Sequence, residues 1–187
     1  CAKQLEASGV SREGFEESEA KRSNMMSGSR LWFGQGNGEF DRFEDGGSFS
    51  RSGWIHGAAE IDFNNDGMPD VYLTNGYISK ETARDYEERF WRHDLYDSES
   101  ESKADIARHI ATDGPGRFIK ENNQSWAPFQ KNQLWANFGE DGFVDIAYLM
   151  GVSRELDGRA TVAVDLNQDG KPDLISLEID SVEHELN

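Results

Sequence analysis

The sequence predicts a mainly β chain: two small antiparallel sheets, each with an acid-rich loop joining two of its strands, and a helical insertion between them. Three observations carry this. The pattern D-x-N-x-D-G-x-P-D occurs at 62–70 and again at 165–173. Short β-prone runs bounded by turn residues flank both copies. Landmark residues upstream of each copy recur at the same distance of 103 positions.

Composition sets the outer limits. The chain has 187 residues, with Lys plus Arg 19, Asp plus Glu 36 and a formal charge of −17. That length allows one domain or two small ones. No run approaches the roughly 20 apolar residues of a membrane span. No apolar signal-peptide core lies within the residues given. The negative field repels a phosphate backbone, so no nucleic-acid partner is expected. The single cysteine, Cys1, excludes an internal disulfide framework or a cysteine zinc cluster. Cys1 reads either as the lipid-carrying first residue of a mature lipoprotein or as the point where a fragment begins. Five Trp and 11% aromatic residues separate the chain from a disordered acidic tail.

Taken in order, residues 1–29 form an N-terminal segment, poor in apolar residues, with a short helix expected near Glu13 to Arg22. Residues 30–78 form the first β unit. It runs Leu31-Trp32, a Gly-rich turn, Phe40, a second Gly- and Ser-rich stretch, a strand, the acidic loop and another strand. Residues 79–132 break the pattern. Ala83, Tyr86 and Phe90 recur at helical spacing in 79–94, with Ser79 as a cap. Ala104, Ala107, Ile110 and Ala111 make a second apolar stripe that Asp113-Gly114-Pro115-Gly116 ends. Such stripes are mostly core, so packing is the favoured role of the insertion. Residues 133–187 form the second β unit: Leu134-Trp135, Gly139 and Phe143 match Leu31-Trp32, Gly36 and Phe40. A single offset sustained over about 40 residues marks an internal repeat. Each unit holds enough β segments for about four strands, the content of a propeller blade.

The loops carry the chemistry. Carboxylate and amide oxygens of Asp62, Asn64, Asp66 and Asp70 stand at positions 1, 3, 5 and 9, and Asp165, Asn167, Asp169 and Asp173 repeat them. Position 7, Met68 or Lys171, adds a backbone carbonyl. Gly67 and Gly170 at position 6 allow the sharp turn that wraps such a loop around a cation. Oxygen-only donors with several carboxylates suit Ca²⁺, which takes 6–8 oxygens, and not Zn²⁺, which prefers nitrogen and sulfur. Asp, Asn and Gly are also ordinary turn residues. One such loop alone reads equally as a turn, but two matching loops read as two Ca²⁺ sites. Two such ions offset four charges, leaving about −13. An EF-hand loop needs a bidentate Glu at position 12; Leu73 and Ser176 stand there instead. Strand-like runs rather than a helix follow each loop, so the ion would staple two strands of one sheet.

The units resemble FG-GAP/VCBS repeats, the blades of integrin-α-like β-propellers. The likeness rests on Trp54-Ile55-His56-Gly57-Ala58-Ala59-Glu60-Ile61-Asp62 running into the loop, and on Phe33-Gly34 and Phe138-Gly139. Phe143-Val144-Asp145-Ile146-Ala147 with Gly151-Val152 is similar to the ASPIC/UnbV group related to cartilage acidic protein. The resemblance implies propeller blades whose acidic loops bind Ca²⁺. A propeller needs roughly 4–8 blades and two are found here, so either the chain is a piece of a longer one or other copies cover its open sheet faces.

The four His residues, His56, His93, His109 and His184, fall in no metalloenzyme spacing, and neither a nucleophile elbow nor a P-loop occurs. No enzyme activity is expected. The expected role is a calcium-stabilised structural or adhesion module outside the cytoplasm, extracellular or at the cell surface, with the periplasm also suitable. Its partners are other protein chains, copies of itself included, in a filament or ring. The alternative is a fragment of a full surface propeller that binds protein or glycans as a receptor does. Asn123-Gln124-Ser125 fits the N-glycan acceptor pattern.

Overall fold

The computed structural model describes residues 28–44, 49–86 and 123–180, together with Glu17 and Lys21. Among them the chain is mainly β, with eight strands and two short 3₁₀ turns. The strands are β1 (Trp32–Gly34), β2 (Phe40–Arg42), β3 (Ile55–Ile61), β4 (Asp70–Asn75), β5 (Gln133–Asn137), β6 (Phe143–Asp145), β7 (Asp157–Val164) and β8 (Asp173–Ile179).

The repeat seen in the sequence is reproduced strand for strand. In the β1–β2 hairpin Trp32 pairs with Arg42 and Gly34 with Phe40. In β5–β6 Trp135 pairs with Asp145 and Asn137 with Phe143, the same register 103 positions later. In β3–β4 Ala58 pairs with Leu73 and Ile61 with Asp70. In β7–β8 Thr161 pairs with Ser176 and Val164 with Asp173. Even the bulge is copied, between Ile55 and Gly57 in one and between Gly158 and Ala160 in the other. The turns agree as well: Asn65 and Gln168, at equivalent places, have φ of 56° and 62°.

Hydrogen bonding nevertheless groups the strands across the repeat boundary. One sheet has the order β3-β4-β5-β6, so the first unit's second hairpin pairs with the second unit's first hairpin. β1–β2 and β7–β8 each remain a two-stranded sheet. The blade-like four-stranded sheet is therefore offset by one hairpin from the units at 30–78 and 133–187. The physical reason lies in β4: it is buried along most of its length, and Leu134 and Trp135 on β5 supply the apolar surface that covers it.

Side chains alternate across this sheet as the strand period requires. Tyr72 and Leu134 face one side, where they form a core with Ile61 and Ala147. Leu73 and Trp135 face the other and pack with Phe49. The Phe49 ring stands 5.0 Å from Trp135 and 5.2 Å from Phe143, and Phe43 lies 5.6 Å from Phe143. Burying each such large apolar side chain contributes about 1.5–3 kcal/mol.

All eight strands lie in one compact unit, Ser29–Ser79 with Ala127–Asn187; the other comprises Cys1–Gly28 and Lys80–Trp126. In the latter, Glu17 and Lys21 are helical, within the expected N-terminal helix, and form an ion pair at 2.6 Å. The helix expected to start at Ser79 does not form over 79–86. There the chain is extended instead: Tyr86 donates its N–H to the Ser125 carbonyl at 2.7 Å, and Ser125 donates to Arg84 at 3.0 Å. The cap is spent elsewhere. Ser79 donates its N–H and its hydroxyl to the Asp157 carboxylate, both at 2.7 Å. The second apolar stripe, at 104–111, lies outside the described residues, as does the rest of 87–122.

Candidate metal centre

Each acidic loop hangs between two strands. Asp62 follows the last residue of β3 and Asp70 opens β4; Asp165 and Asp173 stand likewise between β7 and β8. The tight turn comes from two left-handed residues in each, Asn65 with Gly67 (φ 83°) and Gln168 with Gly170 (φ 83°).

Inside the first loop the side chains organise the backbone. Asp62 accepts the N–H of Asp66 at 3.0 Å and of Gly67 at 2.9 Å through its two oxygens. Asn64 Oδ1 accepts the same Asp66 N–H at 3.1 Å, and its amide donates to Asp66 Oδ2 at 2.7 Å. Asp66 Oδ1 accepts the N–H of Met68 at 2.8 Å. The second loop repeats this atom for atom. Asp165 holds Asp169 at 3.1 Å and Gly170 at 2.8 Å. Asn167 accepts from Asp169 at 3.0 Å and donates to it at 3.2 Å. Asp169 accepts from Lys171 at 2.9 Å.

The structure therefore brings positions 1, 3 and 5 of each loop together on an exposed turn. Met68 and Lys171 enter it through their N–H groups. Position 9 is placed differently in the two loops. Asp70 is buried, and its oxygens accept the N–H of Phe63 at 3.2 Å and of Asn137 at 2.8 Å. Burial pushes its carboxyl above the usual carboxylate range; the two N–H bonds oppose this, and the nearby Asp66 and Asp62 charges add to it. Asp173, half-buried, accepts the equivalent loop N–H of Leu166 at 3.0 Å, and among the described residues β8 has no strand on its outer side to supply the second donor.

Among the described residues no three His, Cys, Asp or Glu side chains converge as a ready-made cage. What the loops do offer is a set of hard oxygen donors with fixed backbone, several of them carboxylates whose charges repel one another. That donor chemistry fits a hard divalent cation such as Ca²⁺. The two loops lie side by side: Asn65 donates its amide to the Gly170 carbonyl at 3.4 Å, and a shallow cleft between them is walled by Asp62 and Asp165 with Lys171.

Several structural roles were not foreseeable from the loop motif. Asn137, the donor to Asp70, also binds the Pro69 carbonyl through its amide at 3.1 Å. Asp157 is buried and ties Ser79 to the start of β7; its only sequence signal is an acid before Gly158 outside any loop. A second buried polar cluster joins Asn132 to Tyr72 Oη at 3.1 Å and to Glu178 at 2.6 Å, with Arg154 on Glu178 at 3.0 Å. In the glycan acceptor pattern, Asn123 is exposed and donates to Glu81 at 3.1 Å, while Ser125 is buried. No helix among the described residues is long and apolar enough to cross a membrane.

Comparison with known proteins agrees with the strand pattern. Residues 22–73 match the family of FG-GAP-like repeats. No curated protein and no solved structure matches the chain. The matched segment takes in β1 to β3, the first acidic loop and β4 as far as Leu73, and the second unit copies its hairpin registers. Over residues 22–73 the chain is thus similar to an FG-GAP-like repeat.

Proposed function

We propose that this chain is a calcium-binding structural module in which the loops 62–70 and 165–173 each hold one Ca²⁺. The observation that supports it is the duplication. Two loops with different residues at positions 2, 4 and 7 keep the same oxygen-bearing side chains and the same hydrogen bonds. A simple turn needs one Asn or Gly, not three Asp and an Asn in fixed places. The ligand set is Asp62, Asn64, Asp66 and Asp70 with the Met68 carbonyl, and Asp165, Asn167, Asp169 and Asp173 with the Lys171 carbonyl. Each ion cross-links two strands of its own sheet and neutralises carboxylates that otherwise repel.

The role is non-catalytic and interactive. Calcium at millimolar extracellular levels suits exposed loops of this kind, which supports a location outside the cytoplasm or at the cell surface. Its partners are protein chains, copies of itself among them. The test is thermal unfolding in calcium and in chelator. A ligand that binds only the folded state stabilises it by mass action. Calcium should raise the melting temperature of the native chain and not that of the double variant Asp66→Ala, Asp169→Ala. An unchanged melting temperature in the native chain refutes the reading.

A further inference from the structure

The chain holds two Asn-Gly pairs, Asn37-Gly38 and Asn75-Gly76. In such a pair the glycine nitrogen can attack the asparagine side-chain carbonyl carbon, because the residue that follows carries no Cβ to hinder the approach. The structure gives the two pairs opposite surroundings.

Asn37 stands at the tip of the β1–β2 hairpin, and Gly36, Asn37, Gly38 and Glu39 are all exposed. The turn is held by its own atoms. Gln35 donates its N–H to the Glu39 carbonyl at 2.9 Å. Asn37 Oδ1 accepts the N–H of Glu39 at 2.9 Å, and Asn37 Nδ2 donates to Glu39 Oε2 at 2.8 Å. Gly38 has a φ of 91°, and a Cβ built on it would meet nothing within 4 Å. Among the described residues its N–H has no acceptor. The second pair is shut. Asn75 is 2% exposed, and its amide donates to the Lys131 carbonyl at 2.8 Å. The Gly76 N–H is given to the Trp54 carbonyl at 3.2 Å. A Cβ on Gly76 would lie 3.1 Å from Asp157 Oδ1 and 3.3 Å from Asp157 Cα. There the attacking nitrogen is engaged and the side chain is pinned away from water.

We propose that Asn37 is a site of spontaneous deamidation in the folded chain and that the fold protects Asn75. The Gly38 nitrogen bonds to Asn37 Cγ, and the bond from Cγ to Nδ2 breaks. The Gly38 proton leaves with Nδ2 as ammonia, and a cyclic succinimide remains. Water then opens the ring at either carbonyl, giving aspartate or isoaspartate; nothing is oxidised or reduced. In the tetrahedral intermediate negative charge develops on Oδ1, and the Glu39 N–H already donates to that atom. The product alters the turn that made it. A carboxylate at position 37 loses the amide donation to Glu39 and sets two negative charges side by side. Isoaspartate also lengthens the main chain between β1 and β2, which pair from Trp32 with Arg42 to Gly34 with Phe40. The hairpin therefore loosens as the protein ages. Calcium takes no part in the step, so this site stands or falls apart from the metal loops.

The test is incubation of the full chain at mildly alkaline pH and body temperature, followed by proteolysis and mass spectrometry. The spectra read the amide-to-acid mass gain at each asparagine, and chromatography separates aspartate from isoaspartate. In the folded chain Asn37 should convert at least about tenfold faster than Asn75, whose reaction must wait for local opening. In guanidinium, where both are Asn-Gly pairs in an open chain, the two rates should come together. Asn37→Asp should remove most of the ammonia that the folded chain releases. Similar folded-state rates at the two sites overturn the proposal. So does an Asn37 that converts in guanidinium and stays intact in the folded chain.

Discussion

Asp70 Oδ1 accepts the backbone N–H of Asn137 at 2.8 Å, tying the end of the first acidic loop to the far end of β5, 67 residues along the chain. The same carboxylate takes the Phe63 N–H at 3.2 Å, so one buried side chain fixes the loop, β4 and β5 together. Its repeat-equivalent Asp173 holds only the loop. In chelator, Asp70→Ala should cost about 3 kcal/mol and Asp173→Ala within about 1 kcal/mol, because removing a buried acceptor strands its donors. Urea denaturation of the two variants measures the gap; equal losses would mean that the Asn137 bond adds nothing.

The seam between sheets depends on Gly57. A Cβ there would lie 2.7 Å from Thr74 Oγ1 and 3.0 Å from both Ala160 Cα and Thr161 N, backbone atoms of β7. These atoms have no rotamer to escape by. Gly57→Ala should therefore destabilise by about 1–3 kcal/mol through overpacking, read as a lower denaturation midpoint. An unchanged midpoint would show that β3 and β7 do not approach so closely.

Trp135 and Trp32 occupy the same place in the repeat and differ in burial. Trp135→Ala should cost about 3–5 kcal/mol, the usual range for a large aromatic side chain removed from a core. In dilute, monomeric protein, Trp32→Ala should cost less than about 1 kcal/mol. Comparable losses would contradict the assignment of sheet membership.

His56 stacks on Tyr77, with ring centroids 5.5 Å apart, and Arg159 lies over the same Tyr77 ring at 5.7 Å. Partial burial lowers the His56 pKa below its ordinary 6.5; the Arg159 charge lowers it further, and Asp157 opposes. The unfolded chain thus binds the proton more tightly than the folded one. Folding stability from this group is complete above pH 6.5 and is lost as pH falls toward the lowered folded value, below which it levels off. His56→Gln should flatten the stability profile in that window, measured by urea titration at stepped pH. A slope that survives the substitution belongs to other groups.

The loops and the repeat were legible because both are local. Oxygen-bearing residues at alternate positions around Gly67 and Gly170 describe their own turn, and the 103-residue offset matches each hairpin of the first unit to its counterpart in the second. Which hairpin joins which sheet was not legible. The β4–β5 pairing spans the insertion and depends on Leu134 and Trp135 pairing along the edge of β4, a choice that periodicity cannot express. The expected helix start failed for a similar reason. Ser79 has the chemistry of a cap, yet its hydroxyl and N–H are taken by Asp157, 78 positions away. Asp70 reads as one ligand among equals in the motif, and only tertiary contact with Asn137 shows it as a structural staple.

Calcium titration by calorimetry tests the metal assignment most directly. The native chain should take up two ions and the single variants Asp66→Ala and Asp169→Ala one each, at millimolar or lower dissociation constants, and the double variant none. No binding heat from the native chain at several millimolar calcium, or a stoichiometry that neither substitution changes, would contradict it.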